Sequence, residues 1–96
     1  MAYNLRISPE AFQEATDAVN YYESIRPGLG AELLLILEKW YIQIAQSPFY
    51  NSFVGTSAKF RDVKIERFPY VIVYAVKDQT VTILSVRNTH RKPYLH

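Results

Sequence analysis

Tyr3 to Ile7 alternates apolar and polar residues, with Tyr3, Leu5 and Ile7 on one side and Asn4 and Arg6 on the other. This period of two predicts a short strand. Ser8-Pro9-Glu10 then combines a capping hydroxyl, a proline suited to the first helical position and an acid at the positive end of a helix dipole. Phe12, Ala15, Val19 and Tyr22 follow at helical spacing, with Glu14, Asp17 and Asn20 between them, so an amphipathic helix is predicted to Ile25. Arg26-Pro27-Gly28 stops it, because proline clashes with the preceding turn and glycine supplies a left-handed exit. A second helix is predicted over Leu29 to Gln46, with Leu33, Ile36, Leu37, Trp40 and Ile44 on one face and Leu34 and Tyr41 widening it. The short connection makes the pair an antiparallel αα-hairpin.

Ser47-Pro48 ends the hairpin, and Phe49 to Lys59 shows neither period, so a flexible loop is expected there. Phe60 to Arg67 alternates again, but neither of its faces is purely apolar, which predicts a strand near a sheet edge. Phe68-Pro69-Tyr70 interrupts the ladder, since proline donates no hydrogen bond. Val71 to Val76 is almost entirely apolar and reads as a central strand buried on both faces. Thr80 to Val86 pairs with it across an Asp78-Gln79 turn. The expected fold is α+β, in the order β-α-α-β-β-β, with an antiparallel sheet packed against an N-terminal helical hairpin.

A chain of 96 residues is expected to form one domain over residues 1–96. Cysteine is absent, which excludes disulfides, thiol catalysis and thiolate metal sites. The apolar runs Ala31 to Leu37 and Tyr70 to Val76 fall far short of the roughly 20 residues a membrane span needs, so no membrane partner and a cytoplasmic location are expected. The net charge of +2 conceals a division between the halves. Residues 1–50 carry three cations against six anions, and residues 51–96 carry eight against three. The C-terminal half therefore suits a polyanion or an acidic partner.

Histidine occurs only at His90 and His96, with no second group of ligands spaced to meet them, so neither a metal nor another cofactor is expected. No Ser-His-Asp set or phosphate-cradling glycine loop is present; Gly28, Gly30 and Gly55 punctuate turns. What remains is a set of basic residues, Lys59, Arg61, Lys64, Arg67, Arg87, Arg91 and Lys92, mixed with Tyr70, Tyr74 and Tyr94. Cations with stacking aromatics suit a phosphate backbone, and guanidiniums can stabilise charge on a transferring phosphoryl group. The competing reading puts Tyr70 and Tyr74 in the core and Arg67 in a structural network.

Several motifs in order resemble one superfamily: Ser8-Pro9-Glu10-Ala11, Tyr21-Tyr22-Glu23, Pro27-Gly28-Leu29-Gly30, Ser47-Pro48, Arg67-Phe68-Pro69-Tyr70 with Tyr74, and Arg91-Lys92-Pro93. The chain resembles the RelE/ParE toxins of type II toxin–antitoxin pairs. The resemblance implies a protein neutralised by a cognate antitoxin. RelE-like members cut messenger RNA in the ribosome and ParE-like members poison DNA gyrase. The RelE pattern has two lysines two residues apart before the turn, where this chain has Asp62 and Lys64, and an arginine after the following tyrosine, where it has Val71. A RelE arginine falls near Thr89, and ParE-like tails often carry a histidine where Asn88 stands.

The reading closer to ParE is therefore preferred, with Arg61, Lys64, Arg67, Arg87, Arg91 and Lys92 as target contacts. The alternative is a ribosome-dependent endoribonuclease using Lys64, Arg87, Arg91 and Tyr94. A third reading is a non-toxic relative that only binds a partner. On any of them the expected antitoxin contacts are Leu34, Trp40 and Tyr41 on the second helix.

Overall fold

The computed structural model describes residues 3–50 and 60–89. Strand β1 (Asn4–Ile7) leads into α1 (Pro9–Ile25) and α2 (Leu29–Gln46), followed by β2 (Phe60–Lys64), β3 (Tyr70–Lys77) and β4 (Thr80–Asn88). Most of the loop expected over Phe49 to Lys59 and the tail bearing Arg91, Lys92 and Tyr94 lie outside the described residues.

The sheet has the order β1-β4-β3-β2. Its last three strands pair antiparallel, as the sequence predicts, but β1 adds to the edge of β4 in parallel, so the sheet is mixed. Leu5 registers with Val81 and Ile7 with Ile83, which continues one apolar face onto a fourth strand. A period of two identifies a strand and its faces but carries no information about which neighbour it joins.

Local signals fix both helix starts. The Ser8 hydroxyl accepts a hydrogen bond from the Ala11 N–H at 3.0 Å, with Pro9 in the first turn. Gly28 sits at φ +91° before α2, and the Glu23 carboxylate accepts from the N–H groups of Gly28 and Gly30 at 2.9 and 3.0 Å. One acid at the end of α1 thus caps the positive end of α2.

The core lies between the hairpin and one sheet face. It contains Leu33, Leu37, Tyr41 and Ile44 of α2, Ile72 and Tyr74 of β3, and Val81, Ile83 and Val86 of β4. β3 is buried on alternate residues, with Val71, Val73 and Ala75 only half-buried, so it is not the strand covered on both faces that its composition suggests. β2 stops at Lys64 rather than Arg67, because Arg67 takes a left-handed φ of +69° in the turn. β4 shifts register opposite Val73 and Tyr74. The irregularity is satisfied from α1: the Ser8 hydroxyl donates to the Leu84 carbonyl at 3.2 Å, and the Glu14 carboxylate accepts from the Ser85 hydroxyl at 3.0 Å and the Val86 N–H at 2.9 Å. Glu14 therefore ties a helix to a bulged strand, although its spacing alone reads as a solvated face.

Candidate functional site

Two surfaces collect some of the residues singled out from the sequence. The first is the sheet face turned away from the helices. Register sets Lys64 beside Val71 and Val71 beside Arg87, and residues paired across a sheet share a face. Lys64 and Arg87 therefore flank Val71, their backbones two strand spacings apart, about 10 Å. Their long side chains can reach one anionic group from both sides. Asp62, which registers with Val73, puts a carboxylate on the same face.

Of the other expected cations, Arg91 and Lys92 lie outside the described residues, and Arg61 and Arg67 do not join this row. Arg61 registers with buried Tyr74, and its guanidinium lies 5.1 Å from the Phe49 ring centre and donates to the Phe49 carbonyl at 3.5 Å. Arg67 sits in the β2–β3 turn and pairs with Glu32 of α2 at 2.6 Å, 5.5 Å from the Phe68 ring centre. The strand period alone puts Arg61 and Arg67 on one face, but the positive φ at Arg67 breaks the period before it gets there.

The same turn is tethered to α2 by a second acid. The Glu66 carboxylate accepts from the Trp40 indole N–H at 2.8 Å and pairs with Lys39. Hydrogen bonds from Lys39 and Trp40 pull its carboxyl down to about 2. Hydrogen bonding by Arg67 likewise holds Glu32 below the usual carboxylate range. A depressed carboxyl stabilises the docked turn above its unfolded value, about 4, and that contribution disappears as pH falls through the folded value. Trp40 is the single tryptophan, so its emission should titrate between about pH 4 and pH 2. In Glu66→Gln this transition should vanish; a transition that survives would mean that Glu66 is not the tether.

The second surface is a cleft of about 380 Å³ between the helices. Phe12 and Val19 come from α1, Leu34, Leu37 and Tyr41 from α2, and Ile7 from β1. Of the three residues expected to meet an antitoxin, Leu34 is exposed on this cleft. Tyr41 lines it but is buried, not the exposed anchor that was expected, because its register on α2 continues Leu33 and Leu37 into the core. Trp40 lies outside the cleft, half-buried against the core with its indole on Glu66. The sequence reading missed Phe12, which helical spacing assigns to the core and the structure leaves largely exposed on the cleft. The burial instead goes to Ala11 and Ala18. The apolar stripe of α1 was wider than one packing partner needs, and that width was the available signal.

No protein-family model and no curated protein matches the chain. Solved structures do. A chain of the chromosomal ParDE TA system from P. aeruginosa superposes with a TM-score of 0.80 at 14% identity, over 93% of this chain and 98% of that one. The isolated E. coli RelE toxin gives 0.71 at 24% identity, over 96% of this chain and 89% of that one. A chain of the intact E. coli RelBE toxin–antitoxin complex gives 0.72 at 23%, over 94% and 100%. The chain thus has the RelE/ParE fold that its motifs resemble.

Proposed function

We propose that the protein is the toxin of a type II toxin–antitoxin pair, ParE-like in its target and neutralised by a cognate antitoxin that covers the helical hairpin. The observation that carries the ParE-like choice is the make-up of the open sheet face, where Lys64 and Arg87 flank Val71 with Asp62 on the same side. A metal-free ribonuclease needs several donors converging on one phosphoryl group. Here an apolar residue occupies the middle of the row and a carboxylate weakens it. Among the described residues, two cations with an apolar centre better suit binding a protein partner such as gyrase. The higher superposition score of the ParDE chain agrees with this. The 24% identity to RelE and the placing of Lys64 beside Arg87, two members of the nuclease set, favour the nuclease reading.

The test is to induce the chain in bacteria and follow incorporation of labelled thymidine and amino acids over the first minutes. DNA synthesis should stop first, and replacing both Lys64 and Arg87 by Glu should abolish the arrest without changing the circular dichroism spectrum. If protein synthesis stops first, the target is the ribosome. Undisturbed synthesis of both would leave a partner-binding relative without toxicity.

A further inference from the structure

Tyr74 registers with Ile83 and Val73 with Ser85, so Leu84 is an extra residue in β4. An extra residue reverses the faces of everything beyond it. Had the ladder run on without it, Val71 would stand opposite Val86 and Tyr70 opposite Arg87. Tyr70 belongs to the core, so Arg87 would turn toward the hairpin and Val86 away from it. With Leu84 in place, Ile83 and Val86 are both buried although three residues apart. Arg87 then comes to lie beside Val71, in the row that begins at Lys64. One bulge therefore decides whether Arg87 belongs to the open face.

The start of α1 holds four consecutive residues through this bulge. The Ser8 N–H donates to the Ile83 carbonyl at 2.9 Å and the Ser8 hydroxyl to the Leu84 carbonyl at 3.2 Å. The Glu14 carboxylate then accepts from the Ser85 hydroxyl at 3.0 Å and the Val86 N–H at 2.9 Å, both on the same oxygen, Oε1. These bonds take up polar groups that an irregular ladder leaves over. Ser8 also caps α1 through the Ala11 N–H, so Glu14 is the member that can be altered without undoing a helix start. Burial of Val86 favours the same register, by an amount similar to the loss from leaving the Val86 N–H without its acceptor. Without Glu14 the bulged and the regular register would therefore lie within about tenfold of one another in population.

Resting on the reading of Lys64 and Arg87 as target contacts, we propose that Glu14 is a positioning residue for the open face: by pinning the bulge at Leu84 from the opposite side of the sheet, it holds Arg87 beside Val71. Glu14 itself makes no contact with the target. It acts through the phase of β4, and its loss turns Arg87 toward the core face in part of the population.

The test is the strand register, read by NMR on the full chain in wild type, Glu14→Ala, Glu14→Gln and a Leu84 deletion with and without Glu14→Ala. Wild type should show one set of proton contacts between directly opposed residues, Val71 with Arg87 and Ile72 with Val86. Glu14→Ala should add a second set, Val71 with Val86 and Tyr70 with Arg87, and its Val86 amide should exchange about tenfold faster, the equivalent of one hydrogen bond. Glu14→Gln keeps an oxygen able to accept both bonds, so it should show the single wild-type set. Deleting Leu84 removes the extra residue and leaves the pairs beyond it unchanged, so in that background Glu14→Ala should no longer alter the register. A general loss of stability would not be relieved in this way. A single wild-type set in Glu14→Ala would overturn the positioning role. So would a Glu14→Gln that behaves like Glu14→Ala, or a second set that persists in the deletion. If the deletion does not fold, the registers of Glu14→Ala and Glu14→Gln decide the matter. All of these contacts are read without a target, so a ribosomal target or an absence of toxicity in the labelling experiment is a separate result.

Discussion

Gly30→Ala should lower the stability of this protein by about 3 kcal/mol, read as a fall in the urea midpoint. Intrinsic propensity predicts the opposite sign, because alanine is favoured over glycine within a helix by up to about 1 kcal/mol. Packing decides the outcome. A Cβ built at Gly30 lies 2.4 Å from the Val19 carbonyl oxygen and 2.9 Å from the Glu23 Cβ. The first of these is backbone in the middle of α1 and cannot rotate away, so the two helices must separate. Separation would also pull the Glu23 carboxylate off the start of α2, where it caps Gly28 and Gly30. Leu35→Ala, on an exposed part of the same helix, provides a control that should change stability by no more than about 0.5 kcal/mol. An unchanged midpoint in Gly30→Ala would mean that the helices do not approach this closely.

Tyr74→Ala should be at least as damaging, by about 3–5 kcal/mol. Tyr74 is fully buried in the middle of β3, and its hydroxyl donates to the Pro48 carbonyl at 2.6 Å. The side chain thus fills the core between sheet and hairpin and fastens the segment leaving α2. Tyr74→Phe keeps the ring but leaves a carbonyl without that donor, a loss of about 1–3 kcal/mol. In a domain of this size each kcal/mol shifts the melting temperature by about 4–8 °C, so the two variants should separate clearly in a thermal melt. Equal losses would assign the whole effect to the hydroxyl, and a neutral Tyr74→Phe would mean that the bond to Pro48 contributes nothing.

The reading of Tyr74 and Tyr70 as core residues rather than stacking platforms agrees with their burial. Arg67 likewise belongs to a structural network, paired with Glu32 on α2. The basic residues of the C-terminal half were therefore legible as a group but not as a site. Of Arg61, Lys64, Arg67 and Arg87, only Lys64 and Arg87 share the open face in one row. A single residue in a left-handed conformation redirects Arg67, and the strand register decides on which side of the sheet Arg61 ends.

The sequence by itself determined the elements and their order. Alternation marked β1 and β2, an apolar run marked β3, pairing across the Asp78-Gln79 turn marked β4, helical spacing marked both helices, and Ser8-Pro9, Pro27-Gly28 and Ser47-Pro48 marked their limits. These signals act over a few residues, so they survive without knowledge of what packs where. The parallel addition of β1 to β4, the burial of Ala11 and Ala18 in place of Phe12, the burial of Tyr41 and the tether from Glu66 to Lys39 and Trp40 were decided only by the tertiary structure. Each depends on residues far apart in the chain: β1 meets β4 across the whole hairpin, and the breadth of an apolar stripe does not say which part of it a neighbour will cover.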